Sequence, residues 1–272
     1  MSRIRKIGCI TVILSISLLG CQVSHVNQAK ENPLTEQQVM ADIWYQTSGE
    51  AKALYYQGYN IGKMRLDEAL AKGSEKSQAI VLDLDETVID NSLYQAMTIK
   101  EGKGSPYKIK EWFKRAKAEA LPGAVSFLQY ANDKGVSIYY ISNRKQNQLE
   151  STLQNLRQLG IPQADKDHVL LRREKNEKGK EERRKQVATK HNIILYFGDN
   201  LSDFTGFDEK SVEERNQIVD KVHEDFGQKL IIFPNPMYGD WETALYQYDS
   251  KKSDAEKNEL RHDALRAFDL TK

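Results

Sequence analysis

The sequence predicts an α/β fold, in which a parallel sheet is covered by helices on both faces and a smaller helical part lies over one edge. From Ala79 onward, short apolar segments alternate with amphipathic ones, which is typical of parallel sheets. Two apolar segments, 79–82 and 193–197, lead directly into the acidic clusters 83–87 (DLDET) and 198–203 (GDNLSD). Ligands bind at the carboxyl ends of strands in such sheets. The two clusters therefore predict a site where several carboxylates meet.

The first twenty residues have the features of an export signal. Arg3, Arg5 and Lys6 form a basic start, and residues 7–19 are apolar but too short for a comfortable membrane span. The segment ends in Leu-Leu-Gly-Cys at residues 18–21, which resembles a lipoprotein signal peptidase site. We therefore interpret residues 1–20 as a lipoprotein signal peptide and Cys21 as the lipidated residue. The alternative is an ordinary secretory signal in which Cys21 is incidental.

Processing at Cys21 would leave a mature chain with little net charge. The formal charge is +1, and loss of residues 1–20 removes three basic residues and no acid, which gives about −2. Nothing in this balance favours nucleic-acid binding. Residues 21–33 are polar and aperiodic and predict a lipidated tether that holds the domain at a membrane. Residues 34–272 then form the folded domain.

The elements of that domain are predicted in order. Residues 34–72 read as helix, with Thr35 as a possible N-cap and Gly73 as a stop. Ser211 and Glu214 form a capping box for a later helix that Gly227 can close. The predicted strands are 79–84, 136–142, 168–171, 193–197 and 230–233, and the helices between them lie near 122–134, 146–159, 180–191 and 211–226.

The parts outside this alternation predict the helical subdomain. The segment between Asp90 and Pro122 is a long crossover that is expected to help form a cap over the site, and 240–268 is predicted to be helical again. The core is therefore expected over about 76–238, with the small helical subdomain drawn from 34–75, 91–121 and 239–272.

The acidic clusters point to phosphoryl transfer that depends on a metal ion. Asp83 follows its strand directly and is the expected nucleophile, which would form an aspartyl-phosphate. Asp85 is the expected general acid and base. Asp199 would bind Mg²⁺ together with a carboxylate oxygen of Asp83 and the backbone carbonyl of Asp85. Asp203 is expected to orient metal-bound water.

Phosphate contacts are predicted from two further segments. Ser142 and Asn143 follow the strand 136–142, where a hydroxyl and an amide can bind phosphoryl oxygens. A lysine in the basic stretch 172–185 should neutralise the charge of nucleophile and phosphate. Lys180 is best placed, and Lys175 and Lys178 remain open.

Taken together, these motifs resemble the haloacid dehalogenase superfamily. Within it, DLDETVIDNS, YYISNRK, GDNLSDF and PNPMYGDWE resemble the class C non-specific acid phosphatases, the lipoprotein e family. The resemblance covers essentially the mature chain. It implies a Rossmann-like sheet domain with a small α-helical cap, Mg²⁺ as cofactor, and homodimers. The implied substrates are small phosphomonoesters such as 5′-nucleotides and nicotinamide mononucleotide. The aromatic side chains that would stack on the base are expected to be Trp112 and Tyr238.

The expected protein is thus a lipid-anchored, extracytoplasmic phosphatase that serves nucleotide and phosphate salvage. Two alternatives stay open at this point. One is phosphotransfer to an acceptor alcohol by the same residues, and the other is a surface lipoprotein that binds nucleotides without turnover.

Overall fold

The computed structural model describes residues 33–173, 177 and 179–270. The predicted signal peptide, Cys21, nearly all of the predicted tether, Lys175 and Lys178 lie outside these residues. The described helices are α1 (Pro33–Glu36), α2 (Val39–Thr47), α3 (Gly49–Lys72), α4 (Ser92–Lys100), α5 (Ile109–Arg115), α6 (Ala124–Asp133), α7 (Leu149–Gln158), α8 (Glu181–Lys190), α9 (Val212–Lys221), α10 (Asp240–Leu245) and α11 (Asp254–Asp263). The described strands are β1 (Gln78–Leu82), β2 (Ile89–Asp90), β3 (Glu119–Ala120), β4 (Ser137–Lys145), β5 (Val169–Arg172), β6 (Asn192–Gly198) and β7 (Leu230–Ile232). Within the described part of the chain, no helix has the length and apolar character needed to cross a membrane.

Five strands form one parallel sheet in the order β5-β4-β1-β6-β7. This arrangement confirms the predicted fold class. Strand β1 lies in the middle, and its last residue, Leu82, is in register with Tyr140 of β4 and Phe197 of β6. The segments that follow β1, β4 and β6 therefore leave the sheet at the same edge.

Both faces of the sheet are buried, which explains why its strands are apolar without alternation. Ile80 and Leu82 of β1 pack into a large core with α3, α6 and α7, whereas Ala79 and Val81 face a smaller cluster that includes Val187 of α8. The large core is rich in aromatic rings, including Tyr55, Tyr59, Phe127, Phe197 and Phe233. Helix α3 lies on the sheet against β6 and β7, although the sequence assigned residues 34–75 to the helical subdomain.

The predicted long helix at 34–72 is three helices in the structure. Thr35 lies inside α1 and is not an N-cap. The residue that caps α3 is Ser48, whose hydroxyl accepts a hydrogen bond from the Ala51 N–H at 3.0 Å. Gly73 ends α3 as predicted, with a φ of 70° that favours glycine.

The later caps were predicted with mixed success. The capping box of Ser211 and Glu214 opens α9 as predicted. Gly227 does not close that helix, because α9 ends at Lys221 and Gly227, with a φ of 78°, makes the turn before β7. The predicted helix at 240–268 is two helices, α10 and α11.

The crossover between Asp90 and Pro122 contains α4 and α5, enclosed by the short antiparallel pair β2 and β3. Helix α4 contacts α1 and α2, and α11 contacts α1. Arg261 of α11 donates a hydrogen bond to the Leu34 carbonyl at 3.1 Å. The N-terminal and C-terminal helices thus pack together beside the crossover.

Candidate active site

The tip of β1 places Asp83 at the centre of the site. Its N–H donates to the Phe197 carbonyl of β6 at 3.0 Å, which continues the sheet ladder by one residue. The Lys180 ammonium, at the start of α8, contacts the Asp83 carboxylate and lies 2.6 Å from Asp203 Oδ1. All three side chains are buried. The lysine therefore bridges the carboxylates that follow two adjacent strands.

Burial and neighbouring charges control the ionisation of this group. Burial raises the pKa of Asp83 well above its usual value; Lys180 offsets this in part, while Asp203 and Asp199 raise it further. Burial would lower the pKa of Lys180, but Asp203 and Asp83 outweigh it and raise that pKa. The lysine stays protonated and supplies a fixed positive charge at the floor of the site.

Three carboxylates form a cluster suited to a cation. One oxygen each of Asp83, Asp199 and Asp203 lies within 4.8 Å of the others. Asp203 therefore belongs to the cluster itself, although it was predicted only to orient metal-bound water. Burial, followed by Asp203, raises the pKa of Asp199 to about 7. A hard divalent cation prefers oxygen donors of this kind and would keep them ionised.

Amide and hydroxyl groups fix the orientation of Asp199. Asn235 and Asn200 each donate a side-chain hydrogen bond to Asp199 Oδ2 at 2.8 Å. Thr87 donates to Asp199 Oδ1 at 3.1 Å. These contacts are of the kind that orient metal ligands.

The Asp85 side chain points to a different partner. Arg144 donates to it through Nε at 3.0 Å and through Nη2 at 2.6 Å, and Asn91 Nδ2 donates at 2.8 Å. Burial alone would raise the pKa of Asp85, but Arg144 together with the hydrogen bonds from Asn91 and Ser142 lowers it below its usual value. The Asp85 carboxylate is outside the three-carboxylate cluster. Its predicted contribution to the metal was through the backbone carbonyl.

A strained loop holds Asp85 in this position. Glu86 has a φ of 59°, uncommon for a residue with a side chain, and is fully buried. Its carboxylate accepts the Asn91 N–H at 2.7 Å, and its carbonyl accepts the Tyr55 hydroxyl at 2.6 Å. Burial, followed by Asp85 and Asp199, raises the pKa of Glu86 well above its usual value. This carboxyl group serves the loop rather than the cavity.

The residues after β1 meet those near the end of β4. Ser142 is fully buried, and its hydroxyl donates to Asp85 Oδ2 at 3.1 Å and accepts the Arg144 N–H at the same distance. Asn143 lines the cavity, with its side-chain oxygen accepting from Arg183 at 3.0 Å. The structure thus brings both predicted phosphate contacts to the site, with Ser142 bound to Asp85.

A cavity of about 600 Å³ opens above these groups. Tyr238 lines it, as the stacking prediction requires. Trp112 is not among the lining residues; its indole N–H donates to Asn91 Oδ1 at 2.7 Å, and its ring packs on the core. The next residue, Phe113, lines the cavity instead, and the Arg144 guanidinium lies 3.9 Å from its ring centre. A helix presents consecutive residues on different faces, so α5 turns Phe113 rather than Trp112 toward the cavity.

For several residues of the site, no motif in the sequence indicated a role. Arg144 follows Ser142 and Asn143 directly, and this position was the only feature that could have indicated its place in the site. Asn91, Thr87 and Asn235 come into contact with the carboxylates of Asp85 and Asp199 only through the fold.

Known proteins with similar sequences and structures are acid phosphatases. The family described as "HAD superfamily, subfamily IIIB (Acid phosphatase)" matches residues 6–241. A structure of the class C acid phosphatase from Bacillus anthracis is 64% identical, with a TM-score of 0.85, and the match covers 87% of this chain and 99% of that one. A second structure of the Bacillus anthracis enzyme, described as having tungstate bound, is 65% identical over the same shares, with a TM-score of 0.86.

Proposed function

This chain belongs to the acid phosphatases of subfamily IIIB of the HAD superfamily and is a phosphatase, and we propose that it hydrolyses small phosphomonoesters through an aspartyl-phosphate at Asp83. The substrates we propose are 5′-nucleotides and nicotinamide mononucleotide. The observation that carries the proposal is the position of Asp83, which is buried at the cavity floor, contacts Lys180 and forms a cluster with the carboxylates of Asp199 and Asp203.

We propose Mg²⁺ as the cofactor. Asp83, Asp199 and Asp203, with the backbone carbonyl of Asp85, would hold it. Three buried carboxylates with one lysine carry more negative than positive charge, so the donor set suits a divalent cation. When bound, the ion would neutralise charge shared by the carboxylates and the phosphate.

The first step joins Asp83 to the phosphorus atom. A carboxylate oxygen of Asp83 forms the new P–O bond while the bond to the leaving oxygen breaks, and Asp85 gives that oxygen its proton. In the second step Asp85 takes a proton from water, the water oxygen attacks phosphorus, and Asp83 is released with inorganic phosphate. Lys180 remains charged throughout and stabilises the phosphoryl oxygens.

An acidic pH optimum follows from this assignment. Asp85 must carry a proton in the first step, and the pairing with Arg144 lowers the pKa at which it does so. Rates should therefore fall as the pH rises through that pKa. Ser142 and Asn143 would bind phosphoryl oxygens once the Ser142 hydroxyl turns away from Asp85.

Two further observations support the substrate class. The related Bacillus anthracis enzyme is described with tungstate bound, and tungstate is a tetrahedral oxyanion like phosphate. A cavity of about 600 Å³ lined by Tyr238 has room for a nucleotide-sized ligand, with an aromatic ring to stack on its base.

We propose that the enzyme is exported, lipidated at Cys21, anchored to the cell membrane, and active in nucleotide and phosphate salvage as a homodimer. Cys21→Ser should move it from the membrane fraction to the soluble fraction. A Cys21→Ser protein that stays in the membrane would refute the anchor. Sedimentation velocity of the purified protein checks the dimer.

The decisive experiment measures phosphate release from adenosine 5′-monophosphate and nicotinamide mononucleotide at pH 5 and pH 7, with Mg²⁺ and then with EDTA. Release should depend on Mg²⁺ and be faster at pH 5. Asp83→Asn should abolish it, whereas Asp220→Asn, the same change outside the cavity, should leave it intact. Residual activity above a few per cent in Asp83→Asn, with deamidation excluded, would disprove the nucleophile assignment.

A further inference from the structure

Two cations lie side by side at the edge of the sheet that forms the active site. Lys145 is the last residue of β4, Arg172 is the last residue of β5, and the two are register partners across these parallel strands. Neighbouring strands are about 4.8 Å apart, so two positive side chains start from adjacent backbone positions. Both line the catalytic cavity. Like charges placed opposite each other in a sheet are destabilising, and the arrangement therefore needs an explanation.

The two cations at the cavity floor have carboxylate partners, whereas Lys145 and Arg172 have none among the described residues. Arg144 is paired with Asp85, and Lys180 with Asp83 and Asp203. Among residues 33–173, 177 and 179–270, no carboxylate lies within 4.0 Å of the charged atoms of Lys145 or Arg172.

Two further lysines of the cavity lining add to this charge. Lys108 and Lys110, which come from the crossover, also line the cavity and have no ion pair with a described residue. Among the described residues that line the cavity, Glu111 and Asp240 are the acids that lie outside its proposed catalytic carboxylates. The outer part of the cavity therefore carries a net positive charge, which favours an anionic group there.

The strand order fixes the position of Lys145 and Arg172 relative to the proposed nucleophile Asp83. Along β5-β4-β1-β6, the cation pair comes first, Asp83 and Asp85 follow β1, and Asp199 follows β6. Lys145 is also the neighbour of Arg144, which holds the carboxylate that we propose protonates the leaving group. The pair thus lies on the Asp85 and Arg144 side of the nucleophile, one to two strand spacings, or about 5–10 Å, to the side of β1 and further along the strand direction than Asp83.

We propose that Lys145 and Arg172 bind a second anionic group on the leaving group of the substrate, and that the enzyme prefers bisphosphorylated small molecules, such as nucleoside bisphosphates, to monophosphates. This inference rests on the proposed function and specifies its substrate class. The reaction is the same: water hydrolyses one phosphate ester, and the products are inorganic phosphate and an alcohol that retains the second phosphate.

The test compares adenosine 3′,5′-bisphosphate with adenosine 5′-monophosphate, using initial rates of phosphate release by the full-length protein with Mg²⁺. An exposed ion pair contributes a factor of about two to five, so kcat/KM should favour the bisphosphate by about fivefold. The preference should shrink as salt rises from 0.05 to 0.5 M. In the double variant Lys145→Gln/Arg172→Gln it should fall to about one.

Two further variants separate binding from structure. Lys185→Gln makes the same charge change on α8, outside the cavity, and should keep the preference. Exchange of the cations in Lys145→Arg/Arg172→Lys should also keep it. The double glutamine variant should melt at the same temperature as the wild type or higher, because a repulsion is removed.

The outcomes distinguish this inference from the proposed function. Hydrolysis of the monophosphate without a preference for the bisphosphate, or with a preference that survives the double glutamine variant, refutes the second anion site alone. No hydrolysis of either nucleotide refutes the proposed function, and the second anion site with it.

Discussion

Gly198→Ala should disable the active site although it replaces no charged residue. Gly198 ends β6 immediately before Asp199, and a Cβ added there would lie 2.3 Å from the Asp203 Cβ and 2.4 Å from its Oδ2. The Asp203 side chain fills this space because it also accepts hydrogen bonds from Lys180 and from the Asn200 N–H. The glycine is therefore required by the close approach of the Asp203 carboxylate.

The expected effect can be worked from these distances. Ordinary van der Waals contact begins at 3.4 Å, so the Asp203 Cβ must move by about 1.1 Å. Overpacking of this kind costs about 1–3 kcal/mol of unfolding free energy. For a domain of this size, a cost of about 2 kcal/mol, the middle of that range, lowers Tm by roughly 4–8 °C. A displacement of about 1 Å in a catalytic constellation can reduce kcat/KM by roughly 100-fold.

Tm and kcat/KM are both measured on the purified variant. The kcat/KM measurement is made at a temperature well below the Tm of the variant. The control is Gly49→Ala, the same substitution at the start of α3, where an added Cβ meets no heavy atom within 4 Å. It should retain the activity and Tm of the wild type. Gly198→Ala with wild-type Tm and more than half of the wild-type kcat/KM would show that Asp203 does not need this space.

Three further predictions follow from other contacts. Arg144→Gln removes the main cation that lowers the pKa of Asp85, so the high-pH limb of the kcat/KM profile should move to higher pH; an unmoved limb would contradict the role of Asp85 as the acid. Burial, followed by Asp90, raises the pKa of Asp42 to about 6 from 3.8, so ionised Asp42 destabilises the fold above pH 6 and this penalty disappears as the pH falls toward 4. Asp42→Asn should therefore raise the unfolding free energy by about 1–2 kcal/mol at pH 7.5 but not at pH 4, as measured by urea denaturation; equal gains at both pH values would show that ionisation is not the cause. Ser211→Ala removes the N-cap of α9 and should cost about 1 kcal/mol, seen as a Tm lower by a few degrees; an unchanged Tm would mean that the cap is not needed.

Local patterns predicted the sheet well. The five strands were found from apolar segments bounded by turns, and the structure extends or trims them by a few residues, with β4 running on to Lys145. The helices at 34–72 and 240–268 were predicted as continuous. The periodicity of apolar residues indicates a helix but does not show where that helix is interrupted. Thr35 was mistaken for a cap for a related reason: a threonine at a helix start looks the same in sequence whether its hydroxyl caps or is buried.

The meeting of Asp83 and Asp199 was predicted because each follows a strand directly. A parallel sheet brings its carboxyl ends to one edge, so Asp83 and Asp199 had to meet once β1 and β6 were neighbours. Lys180 was one of several lysines in a basic segment. Its contact with Asp83 depends on where the start of α8 lies relative to the carboxyl end of β1. Spacing in the sequence carries no such information.

The sequence by itself determined the fold class, the edge of the sheet that carries the site, and the acids that occupy it. These follow from side-chain polarity along single strands and helices, which is a local property. Only the tertiary structure decided that Arg144 holds Asp85, that Asn235 orients Asp199, that Phe113 rather than Trp112 lines the cavity, and that two cations stand side by side at its rim. Those contacts join residues from different elements, and strand order, register and helix rotation fix them together when the core packs.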